Sequence, residues 1–464
     1  MNTEKYLSQP WVTVFANDND AYIPEIWAAE SLMILQNNMV TSNLVHRDFS
    51  NEIAAFGDVV NTRKPADFTA NRKSDTENVV VQDAVSPNVG VRLDQHVHTS
   101  FEIADGEESK GFKNLVDVYL EPALISIAQI VDEIVLGMVY QFLDNTAGSL
   151  GAGASKSGIL AARKTMNDNK VPVNGRNMVI TSSSEADLLN IDNFVSADKV
   201  GDEGTALREG SLGRKFGFEI FMDQNTPSIT TGNSVITNGL INNAAGYPTG
   251  TTVVTVDGFS AALINGSWFV IAGDLTPHRI ISTVGGATPT AITFSPGLRS
   301  GVADNDSFTV YTPGAVDNGG GYASGTTPSA GITVDGFSIS PQTGQLISFA
   351  IADPVYSALT APTTTRVDVN RALQLAIADD EVVGIGPAGD YNFFFHRNAL
   401  SLVNRPLATP TAGSGARAAV ANFNDLSIRV VMTYNGLSQA TLVTVDLLLG
   451  TEVLDVSLGG VMLA

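Results

Sequence analysis

The stretch DVYLEPALISIAQIVDEIVLGMVYQFLD, residues 117–144, constrains the fold more than any other part of the chain. Apolar residues recur in it at helical spacing and share one face, namely Leu124, Ile127, Ile130, Val131, Ile134, Met138 and Phe142. Pro122 is compatible with the first turn of a helix and not with its interior. The pattern predicts a helix over about 121–144, roughly 35 Å long at ~1.5 Å per residue, which can act as a beam within the fold.

A sharp change of composition marks residues 227–345. They contain no lysine and no glutamate, and they hold 19 of the chain's 43 glycines. Short apolar runs separated by turn signals, such as TTVVTVDGF, GSWFVIAG and DSFTVYTP, have the spacing of a small β-barrel or sandwich. Because mixed helix and strand patterning resumes afterwards, we expect an inserted domain that folds separately as about 225–345. The hexapeptide TVDGFS occurs at 255–260 and 333–338, either as a duplicated strand and turn or by chance.

Composition and charge exclude several classes of function. The chain has 464 residues and a formal net charge of -22, so as a whole it lacks the positive surface that sequence-independent DNA binding needs. It contains no cysteine, which excludes disulfides and thiolate metal sites. Residues 1–12 are polar, and Asp, Glu or Gly interrupts the longest apolar stretches. We therefore expect neither a signal peptide nor a membrane span.

The sequence contains no recognisable catalytic constellation, so we predict no enzyme activity and no cofactor or metal. His96 and His98 share one face of a strand, but no third metal ligand is indicated, and an exposed strand face explains them better. His396 is expected to make a structural hydrogen bond. GAGASKSG, residues 151–158, has Ser155 and Leu150 where a phosphate-binding loop needs glycine. A Gly-x-Ser-x-Gly nucleophile elbow is also missing from the sequence.

The stretch ALREGSLGRKFGFEIFMDQNTP, residues 206–227, has two interpretations. GSLG, with Gly210 and Gly213, matches the Gly-x-x-Gly loop of an RNA-binding module and has Arg208, Arg214 and Lys215 beside it. The structural interpretation is a helix ending near residue 207, a glycine turn and then a strand with alternating apolar residues. We prefer this second interpretation, in which Gly213 or Gly217 requires a positive φ.

Residues 47–111 alternate in part between polar and apolar residues, as the two sides of a long hairpin would. The first side, residues 57–73, contains four basic and two acidic residues, a local net charge of +2 in a chain of net charge -22. Its basic residues are Arg63, Lys64, Arg72 and Lys73. Because a solvated loop is expected to share the sign of the chain, this excess indicates contact with an acidic partner surface; the alternative is random placement of the four charges.

The order of these parts resembles that of a known family. An arm, a long hairpin, a long helix and an α/β region are followed by LREGSLGRKFGFEIFMDQN and a β insertion. GDYNFFFHRNALSLVNRPL (389–407) and SIRVVMTYN with VDLLLGTEVLD (427–455) close the chain. In this order they resemble the major capsid protein of tailed double-stranded DNA bacteriophages, in particular the branch with a β-barrel insertion domain. The resemblance covers nearly the whole chain.

The resemblance implies an α+β fold of the Hong Kong 97 type. Its expected parts are an N-terminal arm (1–46), an extended β-hairpin loop (47–111), a peripheral domain with the spine helix (112–160), the first part of an axial domain (161–226), the inserted β-barrel-like domain (227–345), peripheral β-strands (346–383) and the second part of the axial domain with the C-terminal strands (384–464).

The resemblance also implies a function and partners. The chain would assemble with copies of itself into hexamers and pentamers of an icosahedral shell that encloses double-stranded DNA without sequence-specific binding. Assembly would take place in the host cytoplasm, with a scaffolding protein, a portal and a decoration protein as expected partners. Arg63, Lys64, Arg72 and Lys73 would contact the adjacent subunit, and Gly210, Gly213 and Gly217 would form a structural turn.

Three alternatives remain from the sequence. The fold is shared with encapsulin nanocompartments, although this chain looks too long and too rich in insertions for a simple encapsulin. A β-rich surface-binding or adhesin protein would use the insertion as its binding module. An RNA-binding enzyme subunit would use residues 210–213.

Overall fold

Four β-sheets, a two-stranded hairpin and one long buried helix organise the part of the chain that the computed structural model describes. That part comprises residues 24–47, 59–63, 70–73, 78–79, 81–83, 88–104, 119–195, 210, 212–230, 235–326, 331–349, 351–359, 362–411, 415–423 and 426–464.

The helices in these ranges are α1 Pro24–Asn38, α2 Thr41–Leu44, α3 Glu121–Leu136, α4 Lys156–Asp168, α5 Ser182–Leu189 and α6 Asp192–Val195. Three 3₁₀ turns accompany them, at Gly137–Phe142, Arg397–Ala399 and Val456–Leu458.

The strands before the inserted region are β1 Val59–Arg63, β2 Asn88–Arg92, β3 Gln95–Ala104, β4 Thr146–Gly148, β5 Arg176–Ile180, β6 Arg214–Lys215, β7 Phe218–Met222 and β8 Ser228–Ile229. Those within it are β9 Val235–Ile236, β10 Leu240–Ile241, β11 Val253–Asp257, β12 Trp268–Ile271, β13 Asp274–Val284, β14 Ala291–Ser295, β15 Phe308–Tyr311, β16 Gly314–Val316, β17 Ile332–Asp335, β18 Leu346–Ser348, β19 Tyr356–Ser357, β20 Arg366–Val367 and β21 Val382–Ile385. The strands after it are β22 Gly389–His396, β23 Leu400–Arg405, β24 Ala416–Phe423, β25 Leu426–Asn435, β26 Ala440–Val453 and β27 Gly459–Leu463.

The long helix predicted from the apolar pattern is present as α3. Pro122 lies in the first turn of the helix, and the apolar face packs into the largest hydrophobic core, fully buried except for the half-buried Ile130. The predicted end at residue 144 is wrong for the α-helix, because the chain tightens into a 3₁₀ turn from Gly137 to Phe142. This change occurs where Gly137 meets the inserted region: a Cβ on it would lie 2.7 Å from the Asn370 side chain.

Two sheets form the body of the subunit. The seven-stranded sheet has the order β4-β27-β22-β5-β7-β6, with β8 paired to β22, and α4 packs against it. The five-stranded sheet has the order β23-β26-β25-β24, with β3 paired to β26, and α1 and α3 pack against it. The predicted helix α4, the buried strand β5 and the antiparallel pair β25–β26 are confirmed. Residues 384–464, expected in one domain, supply strands to both sheets.

The predicted hairpin is present where β1 and β2 pair antiparallel, from Val59 opposite Arg92 to Arg63 opposite Asn88. The continuation of the second side forms β3, which pairs along ten residues with β26 of the five-stranded sheet, a partner that the sequence did not predict. The residues of the first side that precede β1, 48–58, lie outside the described residues.

The inserted region contains two closed barrels. In the first, β11-β14-β13-β12-β15-β9 form a continuous set of pairs, β10 pairs with β11, and a bridge between Leu240 and Ser307 closes the ring. In the second, the order β19-β18-β21-β16-β17-β20 is closed by a bridge between Ala358 and Val369. The strands follow the same circular order in both, and each barrel has its own apolar core.

The two barrels repeat the same hydrogen bonds. In the first, the Tyr247 hydroxyl accepts from the Thr255 amide at 2.9 Å and lies 2.7 Å from the Thr255 hydroxyl. In the second, Tyr322 makes the same contacts with Thr333, both at 2.9 Å. The same tyrosine hydroxyl therefore bonds the amide and the hydroxyl of a threonine on the equivalent strand of each barrel. We infer that 235–311 and 314–385 are two copies of one unit.

This duplication decides between the two explanations of the TVDGFS repeat. Each copy of the hexapeptide begins in one of two equivalent strands, β11 or β17. In each, the strand ends just before a glycine with positive φ, 75° at Gly258 and 77° at Gly336. The repeat is therefore a duplicated strand and turn.

The expected boundary at residue 345 is corrected by the same observation. It falls inside the second barrel, because β18 to β21 complete the ring that β16 and β17 begin. Residues 346–383 accordingly belong to the inserted region and not to peripheral strands. The apolar runs in 346–383 resemble those of the body strands. Their place in the inserted region is therefore evident only from the closure of the barrel.

A fragment spanning 225–345 is expected to fold in its first barrel only, since it lacks the partners of β16 and β17. Amide NMR should then give dispersed signals for 235–311 and random-coil signals for 314–345. A fragment spanning 235–385 should be dispersed throughout. Uniform dispersion in the shorter fragment would contradict the assignment of the second barrel.

Candidate functional site

The segment between β1 and β2 exposes side chains that a single subunit leaves uncovered. Arg72 and Lys73 are exposed, and so are Val79 and Val81, at 73% and 88% of their full areas. The side chain of Arg63 and the whole of Lys64 lie outside the described residues. Arg72 and Lys73 thus share an exposed segment with two bare valines, a combination of charged and apolar surface that suits a protein contact.

The base of this hairpin is fixed to the body. Val60 and Val91 are buried and form a small core with Val403 of β23, and Leu93 packs against it. The exposed segment therefore extends from an anchored base.

The glycine-rich stretch forms a tight hairpin. Strands β6 and β7 pair around Phe216 and Gly217, whose φ values are 49° and 90°. Gly213 has a φ of 56°, and its carbonyl oxygen accepts a hydrogen bond from the Ile220 amide at 3.2 Å. Gly210 also has a positive φ, 71°.

This hairpin is also held by α4. Arg163 on that helix donates to the Phe216 carbonyl oxygen at 2.8 Å, and the Lys156 ammonium lies 5.9 Å from the centre of the Phe216 ring. Neighbouring basic side chains thus stabilise the turn itself. The strand predicted to run unbroken from Lys215 is interrupted at Phe216, because a two-residue turn requires left-handed backbone there. Arg208 and the predicted end of the preceding helix lie outside the described residues.

Two buried carboxylates join three separate parts of the chain. Asp132 on α3 accepts hydrogen bonds from the Val40 amide (2.8 Å), the Ser42 amide (2.8 Å) and the Ser42 hydroxyl (2.5 Å). Asp223, which follows β7, accepts from the Thr41 hydroxyl at 2.7 Å. The chain around α2 is therefore tied both to the long helix and to the seven-stranded sheet.

The electrostatics of this pair are unfavourable when both groups are charged. Burial raises the pKa of the Asp132 carboxyl to about 7, with the negative charge of Asp223 as the second cause, while hydrogen bonds from Ser42 and Val40 act in the opposite direction. Sequence reasoning missed this site. The sequence offered one sign of it, an aspartate on the buried face of an apolar helix. The contact between Thr41 and Asp223 could not be inferred, because these residues are 182 positions apart.

The histidines have structural surroundings. His96 lies 3.1 Å from Asp446, which also pairs with Arg429, and the rings of His96 and His98 are 6.3 Å apart. His396 accepts a hydrogen bond from the Asn398 amide at 3.3 Å, which confirms the structural role predicted for it. Within the described ranges, no group of three His, Cys, Asp or Glu side chains is arranged to hold a metal ion.

One segment of the described chain, Glu121–Phe142, is long and apolar enough to cross a membrane by length and composition alone. In its most apolar window, 72% is buried inside the protein. That burial is what the core helix of a folded domain requires.

Comparison with known proteins gave matches among solved structures only. No family model matches the chain, and no curated protein does. A structure from Mycobacterium phage Che8 is 13% identical, with a TM-score of 0.41, and the match covers 91% of this chain and 90% of that one. The capsid structure of Cyanophage P-SCSP1u is 11% identical, with a TM-score of 0.42 and coverages of 92% and 97%. The mature capsid of bacteriophage PhiM1 is 8% identical, with a TM-score of 0.39 and coverages of 88% and 82%.

The stability of the unassembled subunit is expected to fall as pH rises towards 7. The folded Asp132 keeps its proton up to a pKa of about 7. The unfolded chain loses that proton near 3.8. Between these values the folded state binds more protons, so the free energy of unfolding decreases with pH, by roughly 4 kcal/mol over the whole window. Urea denaturation at pH 5 and pH 7.5 measures the change.

The matched variant is Asp223→Asn, whose amide can still accept from the Asn225 amide and donate to Thr41. Since it removes the second charge, the fall in stability between pH 5 and pH 7.5 should be smaller than in the wild type. An equal fall in both proteins would show that the pair is not the source.

Gly217→Val is expected to destabilise the subunit, because a β-branched residue at a φ of 90° is strongly disfavoured. A loss of ~1–3 kcal/mol in the free energy of unfolding is anticipated, measured by urea denaturation. Gly213→Asn is the control, since asparagine tolerates a φ of 56°. If Gly217→Val kept wild-type stability and lost only affinity for a nucleic acid, the RNA-binding interpretation of this stretch would return.

Proposed function

We propose that this chain is the major capsid protein of a tailed double-stranded DNA bacteriophage and assembles into the icosahedral shell that encloses the genome. One observation carries the proposal. A hairpin anchored by buried valines presents Arg72, Lys73, Val79 and Val81 to the outside, in a chain whose motifs occur in capsid-protein order. A surface of this kind is completed by a neighbouring subunit.

The parts of the subunit take corresponding roles in this proposal. The seven-stranded sheet, with the glycine hairpin, is the axial domain around the centre of each hexamer or pentamer. The five-stranded sheet, with α1 and α3, is the peripheral domain, and α3 is its spine helix. The segment between β1 and β2 is the extended loop that reaches over a neighbour. Scaffolding, portal and decoration proteins are the proposed further partners.

The charge of the chain supports containment of DNA without adhesion to it. The net charge is -22, and the two barrels, 235–385, contain eleven acidic and four basic residues. A negative wall repels packed DNA, so the genome stays mobile inside the shell. The function then needs many repeated protein contacts and no covalent chemistry.

Negative-stain electron microscopy of the purified protein tests the proposal against its rivals. Closed particles support a shell, whereas a monomer or trimer at high concentration supports an adhesin. Particles filled with cargo protein and free of any DNA-packaging partner would favour the encapsulin alternative. Filter binding of RNA at low salt tests the use of residues 210–213 by an RNA-binding protein.

The double variant Arg72→Glu with Lys73→Glu is expected to fold but not to form closed shells. An exposed ion pair contributes only ~0–1 kcal/mol, but the same contact recurs at every site of a closed lattice. Circular dichroism should be unchanged, while sedimentation should give subunits or small oligomers. Wild-type assembly should also depend on salt, because ions screen exposed charges.

The charge-conserving variant Arg72→Lys with Lys73→Arg is the control and should assemble normally. Normal yields of closed particles from the charge-reversed variant, at low and high salt, would remove these two residues from the proposed contact.

A further inference from the structure

The base of the hairpin bends at two residues. Strand β2 ends at Arg92 and β3 begins at Gln95, so Leu93 and Asp94 form the only break between the outgoing hairpin and the sheet strand. The backbone of these two residues therefore relates the direction of β2 to that of β3. We call Leu93 and Asp94 the pivot.

The body holds the pivot from one side. Strand β26 passes so close that a Cβ on Gly450 would lie 2.0 Å from the Arg92 carbonyl oxygen. A glycine at this position lets the two backbones touch.

The second barrel holds the pivot from the other side. The Asp94 carboxylate accepts a hydrogen bond from the Ala372 amide at 2.6 Å. The guanidinium of Arg92 lies over Gly325, where a Cβ would be 2.8 Å from its nearest nitrogen. Beside these contacts, Arg371 pairs with Glu452 of β26 at 3.5 Å. The barrel thus contacts both the pivot and the strand beneath it.

The same barrel is fixed to the 3₁₀ turn that follows the long helix. The Tyr140 hydroxyl donates to the Gly344 carbonyl oxygen at 2.5 Å, and the Gln141 amide donates to the Val355 carbonyl oxygen at 2.5 Å. The barrel therefore bridges the 3₁₀ turn that follows α3 and the base of the hairpin.

Comparison of the two barrels shows that these contacts belong to one copy. The second barrel has Asn370, Arg371 and Ala372 at the positions where the first has Ser295, Pro296 and Gly297, 75 residues earlier. In the first barrel, the Pro296 carbonyl oxygen lies 2.8 Å from the internal His278 ring, so this loop serves the barrel's own core. Arg299, two residues further along in the first copy, lies 3.5 Å from Asp144 of the body, whereas the hydrogen bond to the pivot comes from Ala372 of the second copy.

We propose that the second barrel positions the extended hairpin, with Asp94 and Arg371 as positioning residues, and so sets the direction of the loop that contacts a neighbouring subunit. The role in assembly rests on the proposed capsid function, whereas the restraint on the hairpin does not.

The test is Asp94→Ala in the full-length chain. Loss of the charge-assisted bond to the Ala372 amide should speed hydrogen exchange of the β1 and β2 amides about tenfold in the unassembled subunit. Exchange in the core of the first barrel should stay as in the wild type. Electron microscopy should show fewer closed particles or particles of more varied diameter.

Asp379→Ala is the matched control. Its carboxylate accepts from the Asn318 amide at 2.8 Å within the same barrel, away from the pivot, so it removes an equivalent bond without touching the hairpin. It should leave exchange at the hairpin unchanged. Asp94→Asn, which keeps the acceptor, should behave like the wild type. Arg371→Met removes the ion pair with Glu452 and is expected to speed exchange at the hairpin as Asp94→Ala does. It serves as the test if Asp94→Ala fails to fold.

Unchanged exchange at β1 and β2 in Asp94→Ala or Arg371→Met would overturn the restraint, and so would an equal effect of Asp379→Ala. Faster exchange with normal particles would overturn the role in assembly. Wild-type chains that never form closed particles would instead refute the capsid function, while the exchange measurement would still decide the restraint.

Discussion

The buried helix Glu121–Leu136 is the element on which the rest of the described chain depends. Helices α1 and α2, strands β3 and β26 and the following 3₁₀ turn all pack against it, and its apolar face is part of the largest core. Such burial contributes ~25 cal/mol per Å² of apolar surface, which makes this core the main source of stability in the body. In the proposed shell, this helix would be the rigid element that keeps the shape of the subunit.

Asp132 interrupts that apolar face at the position where the chain around α2 must be held. Asp132 accepts hydrogen bonds from Val40 and Ser42, which give a directional contact where the rest of the face has apolar packing. The contact carries an energetic penalty, because it buries a carboxyl group next to Asp223. The same device occurs in both barrels, where Asp274 and Asp353 accept amide hydrogen bonds from Ser300 and Leu375, 75 residues apart. Buried acids thus fix loops whose own apolar content is too low to do so.

Local pattern was sufficient wherever a single element carries its own periodicity. The long helix, α4, the buried strand β5 and the β25–β26 pair could all be predicted, because their apolar residues recur at 3.6 or 2 positions. Pairing over long distances could not. The sequence gives no sign that β26 pairs with β3, and residues 346–385 have the pattern of body strands until the closure of the barrel is seen. In the candidate site, the exposed basic residues could be identified from the sequence. The hydrogen bonds between Thr41 and Asp223 and between Ala372 and Asp94 could not, because they join residues that are far apart in the chain.

The duplication gives the inserted region a property that a single barrel lacks. Both copies have the same arrangement of strands and the same tyrosine–threonine contact. This shared arrangement is sufficient for each barrel to fold. Loops outside the shared arrangement are then free to diverge, and the loop around residues 370–372 has acquired contacts with α3's 3₁₀ extension and with the pivot. The first barrel contacts the second through the Trp268 indole, which donates to the Ser348 hydroxyl at 2.8 Å. It also contacts the body, where the Leu150 amide donates to the Leu275 carbonyl oxygen at 3.0 Å and Arg299 pairs with Asp144 at 3.5 Å. Both copies thus hold the insertion against the body, and the loop of the second copy adds the hydrogen bond to the pivot.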